Sequence, residues 1–375
     1  MDPKIEPVVL ANTKFSIDLL KELCEVNTGN VLFSPLSISS ALGLVCLGGQ
    51  PDTNETYSQM YTTLHFGTMK IMYSILYEEL NKDVTDRSLY LVNLMFGENT
   101  VKFNDDFLKK CEDWCFASLM NVDFKKSPDA ARKEINDWVK NNTGDHIENL
   151  LAEKAVTKDT ILGLISALFF KDKWASAFTR VPANKDKTVD WPMMSQTNKF
   201  PLGTIRHRPN PDPEAQILEI PYANKDLSML IILPKQSDGL QKLVESITYE
   251  NLMEWTEPDN MILTDVDVKI PIFTMQEKYD LNDALKSLGM VDVFEKRKLS
   301  GIAPEELCLS KVVHKSFVVV NEEGTEAGGG SGGVLQGPRC MKSQASFMAD
   351  HPFLFFLRHN PTNSIIFWGR FVAPP

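Results

Sequence analysis

Residues 312–346 read VVHKSFVVVNEEGTEAGGGSGGVLQGPRCMKSQAS. The apolar run Val312–Val320 is typical of a buried strand, although His314 interrupts it. From Gly324 onward the residues are small, polar or flexible, and strand-like sequence resumes after Ser346. A long segment without regular structure inside a compact domain is usually functional or disordered. The sequence itself therefore points to Gly324–Ser346 as the candidate functional loop.

The sequence around this segment predicts helices mainly in the first third of the chain. A first helix is expected to be capped by Asn12 or Thr13, and a second, Leu36–Leu47, begins after Ser34. The strand-like runs are Asn30–Phe33, Leu91–Phe96, Ile161–Phe170, Ala215–Ile220, Leu227–Leu233, Val266–Phe273, Val312–Val320, Phe353–Leu357 and Ile365–Phe371. Since no repeat and no linker divides the chain, we predict one α+β domain over residues 1–375.

Composition excludes several classes of protein. The 375 residues include 39 Lys and Arg against 50 Asp and Glu, for a formal charge of −11, which argues against nucleic-acid and anionic-membrane partners. The start of the chain lacks the pattern of a secretory signal, and Ile161–Phe170 is too short to span a bilayer. We therefore expect a cytoplasmic, monomeric protein.

Neither the cysteines nor the histidines have the spacing of a metal site. No CxxC pair occurs among the six cysteines, and the six histidines show no HExxH pattern. His314 is expected to be a buried histidine paired with a serine or a backbone group. We predict no metal and no cofactor.

Ser331 lies in a formal GxSxG motif, Gly329–Gly333. In a hydrolase this serine needs a tight turn between a strand and a helix, and the glycines and Pro338 around it predict neither element. We therefore expect the chain not to be an enzyme, although a hydrolase that uses Ser331 remains a testable alternative.

Arg339 is the long cationic side chain of the loop, and Pro338 precedes it. A trypsin-like protease binds one basic residue in a pocket with an acid at its base. Proline fixes φ and favours the extended form that a protease binds. This pattern indicates a loop that presents Arg339 to a protease.

Several segments together resemble the serpins, and they cover essentially the whole chain. Asn321–Ala327 (NEEGTEA) is similar to the family's proximal hinge, and Ser310–Lys315 (SKVVHK) to the strand before it. Further matches are Asn30–Ser39 (NVLFSPLSIS), Leu227–Pro234 (LSMLIILP), Asp350–Leu357 (DHPFLFFL) and Phe367–Phe371 (FWGRF). The pattern is most similar to the clade B, ovalbumin-like, intracellular serpins.

The resemblance implies a serpin fold with large mixed sheets, an exposed reactive-centre loop over residues 322–346, and suicide inhibition of a serine protease. The protease cleaves the loop and forms an acyl-enzyme, and the loop then inserts as a new strand and distorts the enzyme. The implied hinge residues are Glu322, Glu323, Gly324, Thr325, Glu326 and Ala327. The implied shutter residues, where the sheet opens, are Ser34, Ser37, Ser166 and His314. No cluster of basic residues follows Gly67, so heparin activation is not expected.

The position of the scissile bond depends on how the loop is counted. Counting from the hinge places Pro338 before the cut, which a trypsin-like enzyme would not accept. Counting back from Asp350 places Arg339–Cys340 there, with one extra residue in the glycine run. We choose Arg339–Cys340, with subsite residues Pro338, Gly337 and Gln336, and keep Lys342 as a minor alternative.

The loop sequence both supports and weakens insertion. The side chains of an inserted strand alternate between core and surface, and Thr325, Ala327, Gly329, Ser331 and Gly333 would face the core without placing a charge there. The family usually carries alanines where Gly328–Gly330 stand, and each glycine in a strand costs about 0.5–1 kcal/mol relative to alanine. A substrate-like or non-inhibitory serpin is therefore the alternative.

Ser166 departs from the asparagine that the family has at this position. Because a serine side chain is shorter, we expect its neighbour His314 to need a bridging water. Inhibition of a cysteine protease is a further possibility, since some relatives cross class.

Overall fold

The structure is a computed structural model that describes residues 3–49, 52, 54–66, 73–82, 88–113, 117–181, 191–206, 213–295, 299–304, 306–323 and 345–374. The helices are α1 Glu6–Val26, α2 Pro35–Cys46, α3 Glu55–Thr63, α4 Tyr73–Leu80, α5 Asp105–Asp113, α6 Pro128–Asn142, α7 Leu240–Ser246, α8 Tyr249–Thr256, α9 Asn282–Ser287 and α10 Asp292–Glu295. None of the helices in these ranges has the length and apolar character needed to cross a membrane.

The strands form two sheets. They are β1 Val31–Phe33, β2 Ser88–Glu98, β3 Ala117–Val122, β4 Leu162–Lys171, β5 Thr179–Val181, β6 Met193–Ile205, β7 Ala215–Pro221, β8 Leu227–Pro234, β9 Ile262–Pro271, β10 Phe273–Asp280, β11 Lys311–Val320, β12 Ala345–Met348, β13 Phe353–His359 and β14 Ser364–Phe371. The smaller sheet has the order β10-β11-β4-β2-β3, and the larger sheet has the order β1-β14-β13-β8-β7-β6-β9-β12 with β5 paired to β6. The described elements thus confirm the predicted α+β class.

Helix α2 lies between the two sheets, and its sequence explains why. Every residue of α2 is buried, and the helix contacts β14 of the larger sheet and β2 and β4 of the smaller one. Ser34 caps its first turn by accepting a hydrogen bond from the Ser37 backbone N–H, and Pro35 occupies the first helical position, where no donor is needed. The predicted helix after Ser34 is confirmed.

The outer face of the smaller sheet is covered by α6 and residues 143–160. Buried residues of these segments, such as Ile135, Ile147 and Leu151, form a second core with Ile165 and Phe169 of β4. Lys315 of β11 donates to the Glu148 carbonyl at 2.9 Å, which attaches the covering segment to the sheet.

Two predictions about elements were wrong. Asn12 and Thr13 do not cap the first helix, because α1 begins at Glu6 and both residues are buried within it. The Asn12 side chain instead donates to the Ile365 carbonyl at 2.9 Å. The run Val266–Phe273 is not one strand, since it spans the end of β9 and the start of β10.

Candidate functional site

The described residues on either side of the predicted loop lie in different sheets. The chain leaves β11 in the smaller sheet, and the next described strand, β12, lies at the edge of the larger sheet and begins at Ala345, inside the predicted range 322–346. Residues 324–344 lie outside the described residues. The predicted residues in that gap are Gly324, Thr325, Glu326, Ala327, Ser331, Gln336, Gly337, Pro338, Arg339, Cys340 and Lys342.

Glu322 and Glu323 are the two predicted hinge residues that the structure describes. The Glu322 carbonyl accepts a hydrogen bond from the Phe178 N–H, and the Glu323 carbonyl accepts one from the Trp174 N–H, each at 3.0 Å. The Trp174 indole also donates to the Asn321 carbonyl at 2.7 Å. The start of the loop is therefore anchored by its backbone to the segment that follows β4.

The side chains of the two glutamates add little to this anchoring. Glu323 pairs with Lys171 at 3.2 Å and Glu322 with Arg180 at 4.0 Å, and all four side chains are at least one-third exposed. Exposed pairs of this kind contribute about 0–1 kcal/mol. Both carboxylates can therefore move with the loop at small cost.

Strands β4 and β11 are parallel neighbours in the smaller sheet, and we call their boundary the seam. Their register runs from Lys311 opposite Gly163 to Val318 opposite Phe170. A chain that turns back after β11 would run antiparallel to both strands. The seam is thus the position at which the loop could add a strand bonded on both sides.

His314 and Ser166 lie directly opposite each other across the seam. The Nδ1 atom of His314 lies 2.9 Å from Ser166 Oγ, and its Nε2 accepts from the Ser34 backbone N–H at 3.0 Å. Because Nε2 accepts, Nδ1 carries the proton and donates to Ser166. The expected bridging water was wrong, since the hydroxyl reaches the imidazole directly.

The imidazole of His314 is neutral. The residue is fully buried, and burial lowers its pKa to about 3 by disfavouring the charged form. Ser316 supplies a further contact, with its Oγ 2.6 Å from Nε2. The prediction of a buried histidine paired with serine and backbone groups is confirmed.

Hydrogen bonds link the four predicted shutter residues in a chain that runs from Ser37 through Ser34 and His314 to Ser166. Ser34 reaches the Ile366 carbonyl through its hydroxyl at 2.7 Å, and it reaches His314 through its backbone. Ser37 donates its backbone N–H to Ser34 Oγ at 3.2 Å. Its own hydroxyl belongs to an adjacent group, in which the Asn93 amide hydrogen-bonds the Ser37 and Ser40 hydroxyls at 2.9 and 2.7 Å. Since α2 carries Ser37 and Ser40 and β2 carries Asn93, this second group ties the central helix to the smaller sheet.

Sequence reasoning missed Ser316, Asn93 and Ser40. Ser316 could have been found, because it lies two residues after His314 and therefore on the same face of the strand. Ser40 and Asn93 sit in apolar segments of different elements, and nothing in their spacing indicates that they meet. A buried polar group needs a partner, but the partner is known only from the fold.

The described residues contain no group of three or more His, Cys, Asp or Glu side chains placed to hold a metal ion. A new strand at the seam would separate Ser166 from His314 and replace the bonds between β4 and β11.

Comparisons with known proteins agree with this arrangement. The model of the family described as "Serpin (serine protease inhibitor)" matches residues 10–374. Leukocyte elastase inhibitor from Sus scrofa is 42% identical, with 99% of this chain and 100% of that protein covered. Serpin B9 from Homo sapiens is 41% identical, with 99% and 100% covered.

Solved structures give the same result. Uncleaved ovalbumin is similar with a TM-score of 0.87 and 30% identity, covering 98% of this chain and 100% of that chain. Maspin is similar with a TM-score of 0.88 and 30% identity, covering 99% and 100%.

Proposed function

The chain belongs to the serpin family, with clade B serpins among its relatives, and we propose that it is a suicide inhibitor of trypsin-like serine proteases. The proposal rests on one observation above all: the seam between parallel β4 and β11 lies beside the anchored start of the loop. The proposed scissile bond is Arg339–Cys340.

The specificity follows from the residue before the cut. One relative is named for its inhibition of leukocyte elastase, and elastases have a small pocket for this residue. Arg339 is too long for such a pocket, and its guanidinium would pair with the acid at the base of a trypsin-like pocket. We therefore propose a trypsin-like target, with Gln336, Gly337 and Pro338 in the neighbouring subsites.

In the proposed reaction, the protease serine attacks the carbonyl carbon of Arg339. The peptide bond to Cys340 breaks, the new amine takes a proton from the protease histidine, and Arg339 remains bound to the serine as an ester. Residues from the hinge to Arg339 then enter the seam, which requires the Ser166–His314 hydrogen bond to break. The protease is carried with the ester, and its distorted site no longer hydrolyses the bond.

The alternative is that the protein is cleaved as a substrate. Five glycines lie between Gly328 and Gly333, and together they weaken insertion by about 2.5–5 kcal/mol relative to alanine. Slower insertion leaves the ester time to hydrolyse. The inhibitor and the substrate readings therefore differ only in the rate of loop insertion, and both place the scissile bond at Arg339–Cys340.

The test is incubation with trypsin and with thrombin at equal and excess ratios, followed by denaturing gels and mass spectrometry. A denaturant-stable complex near the summed masses, with release of the peptide that begins at Cys340, is the expected result. Arg339→Ala should abolish both products. The matched variant Lys342→Ala should leave them unchanged, and loss of the complex in Lys342→Ala would move the scissile bond to Lys342.

We further propose a monomer that works in the cytoplasm. Among the described cysteines, Cys24, Cys46, Cys111 and Cys308 are free thiols, as expected in a reducing compartment. The net charge of −11 is consistent with a soluble monomer.

A further inference from the structure

A trough lies at the edge of the larger sheet, away from the seam. Two adjoining cavities of about 360 and 420 Å³ share Pro213 and Lys235 and together form this trough. It extends from α7 past the ends of β7 and β8 to β12. The larger cavity alone has the volume of a site for a small organic molecule.

The floor of the trough is apolar. Ala215 and Leu233 line the larger cavity, Leu243 lines the smaller one, and these side chains are 1%, 6% and 6% exposed. Apolar atoms of a ligand placed over them would leave water, which is favourable by about 25 cal/mol per Å². An inorganic ion could not use this part of the surface.

The rim is cationic although the chain as a whole has a charge of −11. Arg206 and Lys235 are exposed residues that line the larger cavity, and Lys242 lines the smaller one. Lys242 pairs with Glu214 at 3.2 Å, which neutralises that end of the trough. The positive charge is therefore concentrated around Arg206 and Lys235.

His351 forms part of the wall of the larger cavity. Its Nδ1 lies 2.9 Å from Asp350 Oδ1, and its Nε2 lies 2.7 Å from the Pro234 carbonyl oxygen. Both ring nitrogens of His351 are thus already in contact with Asp350 and Pro234, so the positive charge that a ligand can meet is that of Arg206 and Lys235.

We propose that the trough binds a small amphipathic organic anion. Its acid group, a carboxylate or sulfonate, lies between Arg206 and Lys235, and its apolar body covers Leu233 and Ala215. Ser346 and Met348 of β12 form part of the wall, so the bound molecule also contacts the strand that follows the predicted loop. The proposal does not depend on the identity of the scissile bond.

The first test is a fluorescence titration of the intact protein with 1-anilinonaphthalene-8-sulfonate, an aromatic sulfonate of suitable size. We expect one saturable site, and at least tenfold weaker binding in the double variant Arg206→Glu/Lys235→Glu. The matched control is Lys199→Glu, an exposed lysine of β6 that does not line the trough, and it should bind as the unchanged protein does. Near-ultraviolet circular dichroism establishes that each variant is folded.

A second experiment distinguishes binding of an amphipathic ligand from binding of a simple anion. Octanoate should displace the dye, whereas inorganic phosphate at the same concentration should not. Gln216→Trp, which fills part of the larger cavity without changing its charge, should also weaken dye binding at least tenfold. Equal binding in the double variant, or equal displacement by phosphate, would overturn the proposal.

Discussion

His314 connects three parts of the molecule through one neutral ring. It lies on β11, contacts Ser166 on β4, and accepts from the Ser34 backbone at the start of α2. Protonation at Nε2 would place two donors, the new N–H and the Ser34 N–H, against each other. The neutral ring is therefore required by its hydrogen bonds as well as by its burial.

This requirement predicts a pH dependence of stability. Burial lowers the pKa of His314 in the folded protein to about 3, and the unfolded chain has the ordinary value near 6.5. As the pH falls below 6.5, the unfolded chain binds the proton first, so stability decreases until the pH reaches about 3. Between pH 7.5 and 5.0 the expected loss is about 2 kcal/mol.

Urea unfolding at several pH values measures this loss, with His314→Gln as the comparison. Glutamine cannot gain the proton, so this variant should be less stable at pH 7.5 but should lose about 2 kcal/mol less on acidification. The same pH dependence in both proteins would show that other groups are responsible.

At the scale of elements, sequence patterns predicted the strands that have a long apolar run and the helix that has a clear cap. The apolar runs of β4, β8 and β11 and the capped start of α2 were located within one or two residues. The start of α1 was missed because Asn12 and Thr13 have the chemistry of caps, while their actual partners, such as the Ile365 carbonyl, lie far along the chain. Long strand β6 was missed because its burial does not alternate regularly.

The seam itself could not be predicted from periodicity. The patterns of β4 and β11 show that both are buried, but they do not show that the strands are parallel neighbours with Ser166 opposite His314. Pairing of strands far apart in sequence depends on the whole sheet. The expectation that residue 166 and His314 are neighbours came instead from the resemblance to the serpins.

Substitutions in the glycine run test whether these residues slow insertion of the loop. Replacing Gly328, Gly329 and Gly330 by alanine should strengthen insertion by about 1.5–3 kcal/mol. If about half of this free energy lowers the barrier to insertion, the loop inserts up to roughly tenfold faster. The number of inhibitor molecules cleaved per protease trapped should then fall by up to the same factor.

The matched control for the glycine run is Gly29→Ala. Gly29 lies outside the loop, and a Cβ atom there would meet nothing within 4 Å. Gly29→Ala should leave the stoichiometry of inhibition unchanged. An unchanged stoichiometry in the triple variant as well would mean that the glycines do not limit insertion.

At the scale of the whole molecule, the intact loop is held at both ends. Its start is anchored beside the smaller sheet, and β12 is paired with β9 at the edge of the larger sheet. Full insertion of the intact loop would pull β12 away from β9, whereas a cut removes this constraint. A nick at Arg339–Cys340 would leave β13 and β14 within the core of the larger sheet, so both fragments should stay in one particle.

The cut should raise thermal stability if the seam accepts the loop. Insertion adds about ten backbone hydrogen bonds, each of which contributes roughly 0.5–1.5 kcal/mol, or about 5–15 kcal/mol together. The glycines cost about 2.5–5 kcal/mol, so insertion is favourable over most of this range. At about 2.1 cal/mol/K per residue, the entropy of unfolding of this chain is about 0.8 kcal/mol/K, so a net gain of 4 kcal/mol or more raises the Tm by at least about 5 °C.

Calorimetry before and after limited cleavage measures this shift, and Arg339→Ala treated in the same way gives the baseline of an uncut chain. A higher Tm together with a denaturant-stable complex would establish inhibition. A higher Tm without the complex would mean that the loop inserts more slowly than the ester hydrolyses, and the protein would then be a substrate-like serpin. A Tm that is unchanged or lower after the cut would show that the seam does not accept this loop, and the inhibitory mechanism would fail for this chain whatever its fold.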